Sequence, residues 1–135
     1  MEIDFLNKKI SKKEAININP LVLAYIGDAV YEVIIRNYLI QKNMNMNVHK
    51  LHVKATGYVK AKAQSEYMKV LLDELNEEEM AIFKRGRNSK SYTSPKHAEI
   101  GDYRIATGFE ALIGYLYMVG ENERINQLLN LIIED

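Results

Sequence analysis

The sequence predicts an all-α protein of one domain, and three observations predict it. Apolar and polar residues recur with a helical period nearly throughout. Asp28, Glu32 and Arg36, for instance, fall at every fourth position of an otherwise apolar stretch and make one narrow charged stripe. No stretch alternates convincingly over the length of a strand. Seven glycines and two prolines are few for an all-β chain punctuated by tight turns. At 135 residues, 47% hydrophobic and 27% charged, the chain has the size and composition of one folded globule.

Each element follows from local chemistry. Asn19-Pro20 reads as an N-cap followed by proline in the first turn, opening a helix that runs to about Gln41. Lys42 to Val48 (K-N-M-N-M-N-V) is a polar loop. The helical pattern resumes from Val48 to about Leu75, with Gly57 as the expected interruption. Asn76 followed by Glu77, Glu78 and Glu79 gives a second N-cap, with Glu79 at the capping-box position and a helix to about Arg85. Gly86 to Thr93 is turn chemistry, and Ser94-Pro95 could open another short helix. A long helix spans roughly Tyr103 to Val119 and stops at Gly120. Glu121 to Glu134 forms the last, amphipathic helix through Ile125, Leu128, Leu129 and Ile132.

Composition also excludes chemistry. The chain has no cysteine, so there is no disulfide framework, thiolate zinc site, iron–sulfur cluster or cysteine nucleophile. His49, His52 and His97 lack metalloprotease spacing. The segment Met1 to Ala15 mixes acids with lysines and has no apolar core, unlike a signal peptide. Leu21 to Ile40 is long enough to span a membrane. Asp28, Glu32 and Arg36 within it would each cost roughly 2.5–3.5 kcal/mol near a bilayer centre. A cytoplasmic soluble protein is expected, with no membrane partner.

Two carboxylates stand out. Asp28 lies in L-V-L-A-Y-I-G-D-A-V-Y, and Glu110 is the only charge between Arg104 and Glu121. Each sits in a helix that is apolar almost all round, which predicts burial. A buried carboxylate neutralises, pairs with a cation or binds a metal. Each also has a glycine nearby, Gly27 beside Asp28 and Gly114 one turn after Glu110. Glycine within a helix costs roughly 1 kcal/mol relative to alanine, so close approach of another backbone or a ligand is a reason for it.

Eighteen basic and eighteen acidic side chains cancel, but they are segregated. Every charge from Val48 to Gln64 is basic, Lys60 and Lys62 among them. Lys84, Arg85, Arg87, Lys90 and Lys96 make a second basic run, and acids cluster from Asp73 to Glu79. K-R-G-R-N-S-K (Lys84 to Lys90) can offer backbone N–H groups and side chains, including Asn88, to phosphate oxygens. A solvated basic face is the plainer alternative.

These residues carry a resemblance. L-A-Y-I-G-D-A-V-Y-E (Leu23 to Glu32) and F-E-A-L-I-G-Y-L-Y (Phe109 to Tyr117) resemble the two signatures of the ribonuclease III catalytic domain. Together with Y-V-K-A-K-A-Q-S (Tyr58 to Ser65) and K-R-G-R-N-S-K, in this order, the whole chain resembles the Mini-ribonuclease III family. That family has this domain without a double-stranded-RNA-binding domain. The resemblance implies a ribonuclease III-type all-helical domain over residues 1–135, acting as a homodimer on double-stranded RNA. It implies Mg²⁺ (with Mn²⁺ as the alternative ion) held by Asp28 and Glu110 as the catalytic pair, and 5′-phosphate and 3′-hydroxyl products. It further implies a role in maturing 23S ribosomal RNA, with a ribosomal protein as a candidate further partner. Lys60, Lys62, Lys84, Arg85, Arg87, Asn88 and Lys90 would hold the duplex.

Two departures qualify the carry-over. Ala24 and Thr107 stand where ordinary ribonuclease III has two further site carboxylates, so its two-metal arrangement does not transfer directly. They motivate a second reading, a non-catalytic RNA-binding or ribosome-assembly module. A helical scaffold is a third, and it leaves Asp28, Glu110 and the basic loop unexplained.

Overall fold

A computed structural model describes residues 2–89 and 99–133. Every α-helix or strand assigned among them is a helix, in accord with the sequence. In chain order these are α1 (Lys12–Ile16), α2 (Pro20–Lys42), α3 (Val48–Val59) and α4 (Ala61–Leu71). A 3₁₀ turn (Leu72–Glu74) leads to α5 (Glu77–Arg87), α6 (Ile100–Met118) and α7 (Asn122–Ile132).

The expected caps form. Asn19 accepts from the Leu21 N–H at 2.8 Å ahead of Pro20. Asn76 and Glu79 complete a reciprocal capping box at 2.8 and 3.0 Å. Gly120, at φ +79°, ends α6 where the N–H groups of Gly120 and Glu121 return to the carbonyls of Tyr117 and Leu116.

Four boundaries differ from expectation. Helix α1 is an addition to the expected elements, although Ser11 and Glu14 form a capping box that S-K-K-E spells out. The break after α3 falls at Lys60, in extended conformation, and not at Gly57. The two carbonyls freed there find side-chain donors: Tyr31 Oη donates to Tyr58 O at 2.9 Å, and Gln64 Nε2 to Val59 O at 2.8 Å. Helix α5 runs through Gly86, which is a packing glycine: a Cβ there would meet Ala111 Cβ at 2.8 Å and Gly108 Cα at 3.0 Å across α6. Helix α6 starts at Ile100, three residues before the expected Tyr103. The Ser94-Pro95 helix, and the Gly86–Thr93 turn from Lys90 onward, lie outside the described residues.

Helix α6 is the axis of the fold, with α2, α4, α5 and α7 packed around it. From Ala106 to Leu116 every residue is buried except Glu110, which is partly so. The aromatic rings of Tyr31 (α2) and Phe109 (α6) meet edge to face at 5.0 Å beside it.

A buried ion pair closes the far side. The Glu79 carboxylate, 2% exposed, accepts from Arg124 Nε and Nη2 at 2.8 Å each, and Nη2 also reaches Glu74 O. Arg124→Ala would leave that carboxylate short of its counter-ion. It is expected to cost about 3 kcal/mol in a urea melt, the scale for breaking a buried pair from one side.

Candidate functional site: the Asp28–Glu110 carboxylate pair

The site is built where α2 crosses α6. A Cβ on Gly27 would overlap the Glu110 carbonyl, and one on Gly114 would overlap the Leu23 carbonyl. The two glycines let the backbones touch. Asp28 follows Gly27 directly, so the crossing brings its carboxyl group within hydrogen-bonding reach of Glu110.

Burial raises the pKa of Glu110, and the charge of Asp28 and a hydrogen bond to it raise it further, to about 8; Glu32 adds a smaller push. Gln64 opposes them: its Nε2 donates to Glu110 Oε2 at 3.4 Å. Gln64 is itself 2% exposed, and its Oε1 has no hydrogen-bond partner among the described residues. Sequence reasoning missed Gln64, whose one signal was an uncharged polar residue inside K-A-K-A-Q-S.

The expectation that both carboxylates are buried is corrected for Asp28, which is exposed. Helix α2 is apolar nearly all round, yet Val22, Tyr25 and Val33 on it stand 53%, 80% and 65% exposed in the single chain. Ala24 is buried, and Thr107 spends its hydroxyl on the Tyr103 carbonyl at 2.9 Å. Neither adds a carboxylate, and no cluster of three or more metal-ligating side chains occurs among the described residues. Glu32 is engaged by Arg36 at 3.3 Å.

The pair nonetheless suits a hard cation. Two like-charged carboxyl groups held together are costly alone and are relieved by a divalent ion, and their oxygens are the donors that Mg²⁺ prefers. With two protein ligands, water would complete the sphere.

Lys60 and Lys62 are exposed and line a groove with Glu66, Lys69, Glu99 and Asp102, between the starts of α4 and α6. Asp102 is eight residues from Glu110, about 12 Å along the helix. Packing at Gly86 places the C-terminal end of α5 beside the turn of α6 that carries Glu110. Lys84 and Asn88 are exposed there, and Arg87 lies over the Phe83 ring and donates to Asn88 Oδ1 at 3.1 Å. Arg85 is partly committed, donating to the carbonyls of Ile16 and Ile18 at 2.8 and 3.4 Å. Lys90 lies outside the described residues.

The ribonuclease III domain model matches residues 21–121. The sequence is 54% identical to Mini-ribonuclease 3 of Clostridium tetani, over 96% of this chain and 85% of that protein. The chain belongs to the Mini-ribonuclease III family. It is 47% identical to Mini-ribonuclease 3 of Streptococcus pneumoniae, over 87% of this chain and 92% of the other. A crystal structure of a Fusobacterium nucleatum protein superimposes with a TM-score of 0.81 at 34% identity, covering 88% of this chain and 96% of that one. In this Mini-ribonuclease III family member no helix among the described residues is long and apolar enough to cross a membrane.

The Glu110 shift has a measurable consequence. Between about pH 4.5 and 8 the folded chain keeps a proton that the unfolded chain has lost, so stability falls as pH rises through that window. Metal-free thermal melts are expected to show this fall, and Glu110→Gln, neutral throughout, should flatten it. An equal pH slope in the variant would contradict the assignment of the shift to Glu110.

Proposed function

We propose that this ribonuclease III-type, double-strand-specific endoribonuclease cuts RNA at Asp28 and Glu110, with Mg²⁺ or Mn²⁺ held by the two carboxylates. The observation that supports the reading is the pair itself: two carboxyl groups set against each other by a glycine-mediated helix crossing, with no lysine or arginine paired to either among the described residues. When bound, the cation would lower the pKa of a water and take up charge on the phosphate and the leaving 3′ oxygen. Asp28 and Glu110 present anionic oxygens from two helices locked backbone to backbone, so little reorganisation accompanies the reaction. Glu110 gives up its proton when the site is loaded.

Lys60, Lys62, Lys84, Arg87, Asn88 and Lys90 hold phosphate oxygens of an A-form duplex, read by shape and 2′-hydroxyls. Arg85 joins them through the donors it has left. Replacing Lys84 and Arg87 together by Ala should weaken binding to any duplex about equally. It should also flatten the salt dependence by roughly 0.9 log unit for each phosphate no longer held, on a B-DNA-like charge density. An unchanged salt slope would make these residues a solvated face.

The finer reading is a cytoplasmic enzyme whose single domain, residues 1–135, matures 23S ribosomal RNA and leaves 5′-phosphate and 3′-hydroxyl ends, with a ribosomal protein as a candidate helper. It acts as a homodimer, because Val22, Tyr25 and Val33 leave an apolar face of α2 uncovered, and a second copy would cover it symmetrically. The test incubates the protein with duplex or single-stranded RNA, in Mg²⁺ or EDTA. Metal-dependent fragments from the duplex alone, bearing 5′-phosphates, are the expected result. A gel shift without cutting would overturn the mechanism in favour of the non-catalytic RNA-binding or ribosome-assembly module.

A further inference from the structure

Gln64 sits at the first full turn of α4 and is almost wholly buried. Its Nε2 makes two bonds, to Val59 O at 2.8 Å and to Glu110 Oε2 at 3.4 Å. The shorter bond decides which way round the amide lies, since reversing it would face Oε1 against the Val59 carbonyl, acceptor against acceptor. Oε1 is therefore left as a buried acceptor without a partner among the described residues. An unsatisfied buried acceptor is destabilising. The bond to Val59 O accounts for the donor half of the amide, and nothing in the packing accounts for its acceptor half.

The position of the orphan atom does. Oε1 shares a carbon with Nε2, so it is close to the carboxyl group that Nε2 touches. A buried polar acceptor beside the Glu110 member of the pair calls for a donor that the described residues do not provide, and water is the donor that fits.

We propose that Gln64 is a positioning residue for the carboxylate pair. Its N–H group steadies the Glu110 carboxylate against the α3–α4 break, and its Oε1 accepts a hydrogen bond from a water bound at the pair. The proposal rests on the reading that Asp28 and Glu110 hold a divalent cation, and it adds an outer partner that orients what they hold.

The test measures Mn²⁺ affinity without RNA, by the electron paramagnetic resonance signal of free Mn²⁺, for the wild type, Gln64→Leu and Asp28→Asn. Gln64→Leu is expected to bind Mn²⁺ at least about tenfold more weakly, the lower end for loss of an outer-shell partner. Its metal-free melting temperature should fall, because Val59 O loses its donor, and kcat on duplex RNA should fall with KM unchanged. A merely structural glutamine would lower the melting temperature alike but leave Mn²⁺ affinity and kcat alone. If Asp28→Asn loses Mn²⁺ while Gln64→Leu binds as the wild type does, the role of Gln64 is overturned and the carboxylate reading stands. If neither variant changes Mn²⁺ binding, the carboxylate reading falls and takes this proposal with it. Should Gln64→Leu fail to fold, the wild type decides. Its Gln64 side-chain amide resonances must shift on Mg²⁺ titration with the midpoint of metal binding, and resonances that stay put overturn the proposal.

Discussion

Asp28→Asn and Glu110→Gln each lose cleavage of duplex RNA by at least roughly 10²–10³-fold in single-turnover rate, the scale of removing one group from a preorganised electrostatic site. Duplex binding persists, because the phosphate-holding residues are untouched. The amides are nearly isosteric, so the fold survives; in metal-free buffer near pH 8 the Glu110→Gln melting temperature should rise, since burial and Asp28 no longer oppose a charge there. A carboxylate kept for a structural ion pair would behave otherwise, costing roughly 3–5 kcal/mol when its partner is left uncompensated. Melting temperature and cleavage rate, measured on the same variants, separate the two roles. Near-normal cleavage by Asp28→Asn in saturating Mg²⁺ would remove this residue from the site.

Gly27→Ala should be the most damaging single methyl group in the protein. Helix propensity alone favours alanine there by about 1 kcal/mol. Sterics reverse the sign, since the new Cβ would overlap the Glu110 carbonyl and lie 2.8 Å from the Gly114 nitrogen, both backbone atoms of a buried helix. Forcing α2 off α6 is expected to cost about 3 kcal/mol or more, the upper end for overpacking. It also separates Asp28 from Glu110, so any folded fraction should lose its Mg²⁺-dependent activity. Gly57→Ala is the matched control. Its Cβ would meet nothing within 4 Å, and this exposed helical site should gain roughly 0.5–1 kcal/mol. Urea melts of the two variants shifting in opposite directions would establish the crossing; equal shifts would contradict it.

Much of the fold is legible in the sequence because the signals are local. Asn19-Pro20, Asn76 with Glu79, and Gly120 mark helix ends through their own side chains or φ, and the structure uses all three. Gly27 and Gly114 are legible as close-approach glycines because a mid-helix glycine is unfavourable without a neighbour to explain it. The differences concern long-range packing. The break at Lys60 is capped by Tyr31, 27 residues away from Tyr58, so nothing in V-K-A-T-G-Y-V-K distinguishes Lys60 from Gly57. Gly86 looks like a turn residue until α6 is placed against it. Asp28 is expected inside because α2 is apolar on nearly every face, but no element among the described residues covers the face of Val22, Tyr25 and Val33. Gln64 carries only the signal of an uncharged polar residue in K-A-K-A-Q-S, which does not reveal its role, since that depends on Val59 and Glu110 meeting it in space.

The central claim is that Asp28 and Glu110 together hold the divalent cation on which cleavage depends. Anomalous diffraction from crystals soaked in Mn²⁺ tests it most directly. The account predicts a peak bonded to carboxylate oxygens of both residues, and its loss in Asp28→Asn crystals grown and soaked identically. A Mn²⁺ peak at Glu99 and Asp102 instead, with the Asp28–Glu110 pair empty in active protein, would contradict it.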